Sequence, residues 1–344
     1  TVCEAIQGRQ DLKLLLICMG PLADQQPREL DGVPVDYHLK TPEFSVARPP
    51  YQGSMAEIAG RYIDYLGGAI RLERPDIVVS VTDRYESFAA AVAAALSNVH
   101  LAHIQGGEVS GAIDESMRHA ITKLAHIHFP ANQDSADRII RMGEDPAYVF
   151  DVGCPATDLL LRVDVGEPPA QPYILVAYNP VTTISALANY EAMIAILEAC
   201  HLLIDRGYGL TVIPPNHDPG SDAVHHALND TGTGSRSLPH SEFIRLMAHA
   251  SVMAGNSSAG IREACYFGTP VVDVGIRQQG RACTRNVLIV SAPDRDSIEK
   301  TIAFQLGHGR YPPERPFGNG GAGEKMARIL AEAPLPPLQK HITH

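Results

Sequence analysis

The sequence predicts an α/β protein of two domains, each a parallel sheet covered by helices. At 344 residues the chain is too long for one ordinary core, so two domains of about 150 residues are expected. Short apolar runs alternate with longer helical patterns at the spacing of strand–helix–strand crossovers. A Pro-rich break, VGEPPAQP at 165–172, separates one such series from a second.

The opening VCEAIQG reads as the end of a helix. A parallel α/β domain ordinarily opens on a strand, so a first strand and its loop are expected to lie outside these residues. LKLLLIC (13–19) reads as a strand, followed by a helix near 54–73 and the strand DIVVSV (76–81). Next come a helix at 85–97, HLAHI (100–104), a helix at 115–125, HIHF (126–129) and a helix at 132–142. Beyond the break the same rhythm returns: YILVAYN (173–179), helix 189–206, LTVIPP (210–215), helices 221–229 and 240–249, SVMAGN (251–256), helix 258–267 and PVVDVG (270–275). Domains are therefore expected over 1–165 and 172–318. The remaining 319–344 supplies a helix, 323–332, that packs back on the first domain, and a tail. Two such domains facing one another put a cleft at the carboxyl ends of both sheets, where open α/β folds bind ligands.

Composition narrows the function. A net charge of -11 disfavours nucleic acid or an anionic membrane as partner, while a local basic pocket for a phosphate is compatible with it. No apolar run is read as reaching the ~18 residues that span a bilayer, and no secretory signal opens the chain. Six cysteines, 3, 18, 154, 200, 265 and 283, show no CxxC spacing. They read as reduced, mostly buried thiols in a cytoplasmic protein.

Three stretches carry chemistry. In GNSSAGIREACYFGTPVVDVG (255–275) a strand ends in Gly-Asn-Ser-Ser and a helix opens at once. Free N–H groups and the positive helix end suit a phosphate, with Ser257 and Ser258 as extra donors; an ordinary N-cap uses the same residues. Glu263, about a turn and a half along, could reach a ribose diol. In VTDRYESF (81–88), Asp83, Arg84 and Glu86 follow a strand end, either as a site or as a helix start with Asp83 as its cap. In HIQGGEVSGAIDESMRHAITKLAHIHF (103–129), Glu108, Asp114 and Glu115 hang on a glycine-rich hinge. Crowded near Asp83 they would raise one another's pKa and give protonated acids beside ionised bases. Glycine would let that backbone pass close to a ligand. Glu115 also suits the helix dipole, and Arg118 and His119 could pair with Asp114 or a phosphate. His126 and His128 form an HxH with no third ligand, so core or edge histidines are expected rather than zinc. Asn216, in PPNHDPGS, is placed to hydrogen-bond a ligand at a strand end.

Taken together, TDRYE, HIQGGEVSGAIDESMRHAITKLAH, GNSSAGIREACYFGTPVV and RQQGR (277–281) resemble the hydrolysing UDP-N-acetylglucosamine 2-epimerases of sialic-acid biosynthesis, over about 76–330. The resemblance implies two Rossmann-like domains of the glycosyltransferase-B kind with a UDP-sugar in the cleft. It implies elimination of UDP to a glucal and re-addition of water, giving N-acetylmannosamine. Asp83, Glu108 and Asp114 match the acid/base set. Arg84, Asn216, Ser257, Ser258, Glu263 and Arg277 match nucleotide-contacting positions, and Leu238 would contact the base through its backbone. No cofactor and no metal are implied, and a homo-oligomer, dimer or tetramer, is expected.

Two departures stand out. Where the family carries His-Pro-Val-Thr this chain reads Asn179-Pro180-Val181-Thr182, and Asn179 can hydrogen-bond a phosphate or sugar but cannot donate a proton as an imidazolium does. The family's Gly-x-Arg phosphate loop is not found. The alternatives are a retaining epimerase giving UDP-N-acetylmannosamine, a glycosyltransferase of the same fold, and a non-catalytic UDP-sugar binder.

Overall fold

A computed structural model describes residues 1–24, 26–30, 32–40, 55–204 and 206–343. The chain divides into two units. The first comprises Thr1–Glu108, Asp114–Leu159 and Phe317–His344; the second comprises Val109–Ile113 and Leu160–Pro316. In the first, the elements run α1 (Val2–Gln7), β1 (Ile17–Met19), α2 (Pro21–Asp24), β2 (Glu29–Leu30), β3 (Val33–Pro34), β4 (Tyr37–Leu39), α3 (Met55–Glu73), β5 (Ile77–Val81), α4 (Tyr85–Leu96), β6 (His100–Ile104), α5 (Asp114–Leu124), β7 (Ile127–Phe129) and α6 (Gln133–Arg141). Helix α7 (Pro155–Arg162) leads on to β8 (Tyr173–Ala177), α8 (Ala186–Ile204), β9 (Gly209–Ile213), α9 (Ser221–Asp230), α10 (His240–His249), β10 (Val252–Gly255), α11 (Ser258–Arg262), β11 (Val271–Val274), β12 (Val287–Val290) and α12 (Arg295–His308). Last is α13 (Ala322–Glu332), in the first unit. Residue 54, the expected start of the helix at 54–73, lies outside the described residues.

In the first unit β5, β6 and β7 form a parallel sheet in that order, while β1 pairs parallel with β4 and β2 pairs antiparallel with β3. β6 is buried on both faces, as a central parallel strand must be. Leu101 joins a core with Tyr62 and Leu66 of α3 and Ala89, Ala91 and Ala94 of α4. Ala102 and Ile104 point the other way, onto Ile6 of α1 and Met326 and Leu330 of α13. The run of alanines suits α4 twice over: alanine is the best helix former, and its small side chain lets α3 approach closely. Each fully buried Ile, Leu or Met here contributes roughly 1.5–3 kcal/mol.

The second unit holds a five-stranded parallel sheet, order β12-β11-β10-β8-β9. Ile174, Val176, Val252, Ala254, Val272 and Val274 from its strands pack on α8 and on Ile298 and Ile302 of α12. The expectation that no segment is long and apolar enough to span a membrane needs correction, because α8 meets that test by length and composition. Its Ala192, Met193, Ile196, Leu197, Ala199, Cys200 and Leu203 are instead buried in this core.

Other boundaries also move. Of the expected strand at 13–19, only Ile17–Met19 forms a paired β-strand. α2, β2, β3, β4, α7, β12 and α12 are additional to the sequence-based reading. The C-terminal stretch read as a tail is tied to the first unit: the Leu338 carbonyl lies 3.0 Å from His126 Nε2, Lys340 Nζ donates to Glu144 Oε2 at 2.6 Å, and Thr343 N–H donates to the Gly143 carbonyl at 3.2 Å.

Candidate functional site

In the first unit β5 and β6 end on the same device. Thr82 and Gln105, each one residue past its strand, have φ of 65° and 67°. Thr82 donates its N–H to the Ile104 carbonyl at 3.0 Å, and Gln105 does the same to Phe129 at 2.9 Å. Left-handed backbone costs a β-branched residue of order 1–3 kcal/mol, so surrounding bonds must hold it. The turn at Thr82 carries the chain off the sheet at Asp83. Asp83 is not the cap of α4, since that place belongs to Arg84, which makes no side-chain cap bond. Its carboxylate instead accepts from Arg118 Nη2 in an ion pair.

Arg118 is 1% exposed and joins three segments. Beyond Asp83, its Nη1 donates to the Glu108 carbonyl at 3.1 Å and to Glu115 Oε2 at 2.8 Å. Glu115 Oε1 lies 2.9 Å from His119 Nε2. The carboxylates of Asp83 and Glu115 and the Glu108 carbonyl thus meet on one buried cation. Glu115 is more than a helix-end charge, because it holds partners three and four residues along α5. Glu108 is buried and Asp114 opens α5 half-buried. Arg84 makes a two-pronged contact with Glu86, at 3.1 Å from each nitrogen, and lies over the Tyr85 ring.

The close approach that glycine permits on this hinge is taken up by protein groups. A Cβ at Gly107 would collide with the Ser135 carbonyl, and one at Gly111 with the Ile276 carbonyl. Gly111, in the short segment that belongs to the second unit, also donates its N–H to the Arg277 carbonyl at 3.1 Å.

The second unit gathers asparagines at the carboxyl ends of three adjacent strands, β10, β8 and β9. Asn256, fully buried, accepts the Asn179 N–H on Oδ1 at 2.7 Å and donates from Nδ2 to the Asn179 carbonyl at 2.8 Å. Asn179 Oδ1 accepts the Asn216 N–H at 2.9 Å. The Asn256 carbonyl accepts from Arg277 Nη1 at 3.2 Å and Gln278 Nε2 at 2.7 Å, which ties in the loop after β11. Asp273, on β11, is 2% exposed, and burial pushes its carboxyl up to about 7 against the pull of Arg277 and Arg281.

Ser257 caps α11, its Oγ accepting from Ala259 N–H at 3.4 Å, so the ordinary N-cap reading describes its present bond; Ser258 is the first helical residue. The helix expected to reach residue 267 stops at Arg262. Glu263 is its C-cap and a 3₁₀ turn, Ala264–Phe267, follows. Glu263 therefore sits at a helix end, with Oε2 buried, lacking a hydrogen bond and 3.8 Å from His240 Nε2. Leu238 is half-buried just ahead of α10.

Sequence reasoning passed over Asn256, Gln278 and Asp273. The first lay in the GNSS stretch, where its side chain was not separated from the glycine and serines around it. His126 and His128 take structural partners: His126 Nδ1 accepts from Leu101 N–H at 3.2 Å, and His128 Nε2 contacts Glu144 Oε2 at 3.1 Å. Among the described residues no three His, Cys, Asp or Glu are grouped to hold a metal.

Comparison with known proteins gives a consistent result. The family model for UDP-N-acetylglucosamine 2-epimerase matches residues 4–331. A UDP-N,N'-diacetylbacillosamine 2-epimerase (hydrolyzing) of Legionella pneumophila is 33% identical, over 82% of this chain and 78% of that protein. A UDP-N-acetylglucosamine 2-epimerase of Neisseria meningitidis is 34% identical, over 95% and 88%. In fold the chain is similar to the crystal structure of a Neisseria meningitidis UDP-GlcNAc 2-epimerase bound to UDP-GlcNAc, with a TM-score of 0.75, 16% identity, and coverage of 96% and 94%.

Proposed function

Because the chain belongs to the UDP-N-acetylglucosamine 2-epimerase family, we propose that it inverts carbon 2 of UDP-N-acetylglucosamine by the hydrolysing route. The observation that carries this reading is the network at the ends of β5 and β6, where Asp83 and the Glu108 backbone meet on Arg118. The carbon 2 proton is weakly acidic, so cleavage at carbon 1 leads: UDP departs with the electron pair of the C1–O bond and the ring gains oxocarbenium character. A carboxylate then takes the carbon 2 proton to give the glucal. Water adds back, its oxygen to carbon 1 and a proton to carbon 2 from the opposite face. One sugar nucleotide and one water become N-acetylmannosamine and UDP, with no net redox change. Asp83, Glu108 and Asp114 are the acid/base set, each contributing roughly 10²–10⁴-fold.

The nucleotide falls to Arg84, Asn179, Asn216, Leu238, Ser257, Ser258, Glu263 and Arg277. Asn179 has its Oδ1 committed to Asn216, which leaves Nδ2 as the group to meet a phosphate oxygen. UDP is a good leaving group, so an amide donor and Arg277 suffice without a proton from an imidazolium. The hydrolysing name of the Legionella relative supports this route. Asn179 in place of the family histidine favours a second reading, retention of the nucleotide.

Incubation in heavy water with UDP-N-acetylglucosamine and, separately, UDP-N,N'-diacetylbacillosamine separates the readings by NMR. Free UDP and N-acetylmannosamine carrying deuterium at carbon 2 are expected. UDP-N-acetylmannosamine without free UDP would establish the retaining route. Turnover of the diacetylated sugar alone would keep the route and change the substrate. Product without carbon 2 label would refute the glucal.

A further inference from the structure

We infer that His103 is a positioning residue for this reaction: a neutral imidazole that aims Asp83 and Glu108 without touching substrate. The inference rests on the catalytic reading of those carboxylates and deepens it.

His103 lies on β6, two residues from Leu101 and on the same face, and is fully buried. Its Nε2 is 2.8 Å from the Thr82 carbonyl oxygen. A carbonyl only accepts, so Nε2 carries the ring proton. Nδ1 is then the acceptor, 3.1 Å from the Thr122 hydroxyl. The third contact is steric: a Cβ at Gly106 would stand 2.7 Å from Nδ1 and 2.9 Å from Thr122 Oγ1.

Each contact governs a segment of the network. Thr82 is the left-handed residue before Asp83. Gly106 stands two residues before Glu108. Thr122 lies one helical turn beyond Arg118, so both occupy one face of α5. A single ring therefore ties the three segments that meet at Arg118. Burial brings His103 down to about 3, although the bond to the Thr82 carbonyl and, more weakly, Asp83 pull it up. Neutrality matters here, because a second buried cation would compete with Arg118 for Asp83. An apolar residue in this place would leave the Thr82 carbonyl, on a left-handed residue, without its donor.

The test uses two polar variants of the full chain. Glutamine reaches as far as Nε2 and can keep the bond to Thr82; asparagine reaches only as far as Nδ1 and keeps the bond to Thr122. Expected for His103→Asn is a kcat lower by ~10²-fold with KM within about threefold of wild type, and for His103→Gln a kcat within about threefold. Read independently of turnover, the carbon-13 signal of the Asp83 carboxyl should shift in His103→Asn and stay in place in His103→Gln. Nitrogen-15 spectra of the wild type should show the Nε2–H tautomer unchanged from pH 8 to pH 5. Equal losses in the two variants, an unmoved Asp83 signal in His103→Asn, or a His103 that titrates near 6.5 would each overturn the positioning role. A wild type that turns over neither sugar nucleotide would sink the epimerase reading, and the Asp83 signal would still decide the inference.

Discussion

Asp273→Asn isolates one buried carboxyl whose charge the fold resists. In the folded chain its carboxyl is pushed up to about 7, from 3.8, mainly by burial, and Arg277 and Arg281 only partly offset this. Cys283 is a further neighbour whose thiol Asp273 helps to raise. Because the folded-state value is raised, the folded chain holds a proton that the unfolded chain has released between about pH 4 and pH 7. The stability linked to Asp273 is thus fully present below 3.8 and is lost as pH rises through about 7. At about 1.4 kcal/mol for each tenfold change in proton affinity, the loss is about 4 kcal/mol. Asparagine keeps the shape and removes the charge. Denaturant unfolding of wild type and variant at pH 4.5 and pH 8 should show the variant gaining about 3 kcal/mol relative to wild type across that interval, because pH 4.5 already lies above the unfolded value of 3.8. Parallel pH profiles would refute the assignment of a destabilising charge to this residue.

Other perturbations test the site piece by piece. Asp83→Asn, Glu108→Gln and Asp114→Asn should each lower turnover of the sugar nucleotide by at least ~10²-fold in a coupled UDP-release assay; near-normal rates in all three would return them to charge balance alone. Gly111→Ala forces a methyl into the Ile276 carbonyl, so the segment between Glu108 and Asp114 must shift. Turnover should fall ~10²-fold while thermal unfolding moves by only a few degrees. Glu144→Gln removes a carboxyl that burial opposes but that bonds from His128, Lys123 and Lys340 bring down to about 2. A lowered carboxyl stabilises above its ordinary value and loses that effect as pH falls. The stability gap between this variant and wild type should therefore be full at pH 6 and close between 4.5 and about 2, as read by urea unfolding.

The sequence by itself determined the architecture and the chemical vocabulary of the site. A strand run such as YILVA is apolar because both faces of the strand are buried, so its pattern survives any detail of packing. The break between the strand-rich series and the blocks TDRYE, QGGEVSGAIDES and GNSSAGIRE were legible for the same reason: each is a local pattern. What the tertiary structure decided were pairings between segments distant in the chain. The tie from Arg118 to Asp83, and those from Asn256 to Asn179 and Gln278, depend on which strand ends lie side by side. The left-handed turns at Thr82 and Gln105 were hidden because threonine and glutamine do not advertise them as glycine would. α8 shows the same limit from the other side: its composition suits a lipid span, and only the strands and helices it packs against make it a core helix. Composition records how much apolar surface a segment carries, whereas its partner is set by the fold.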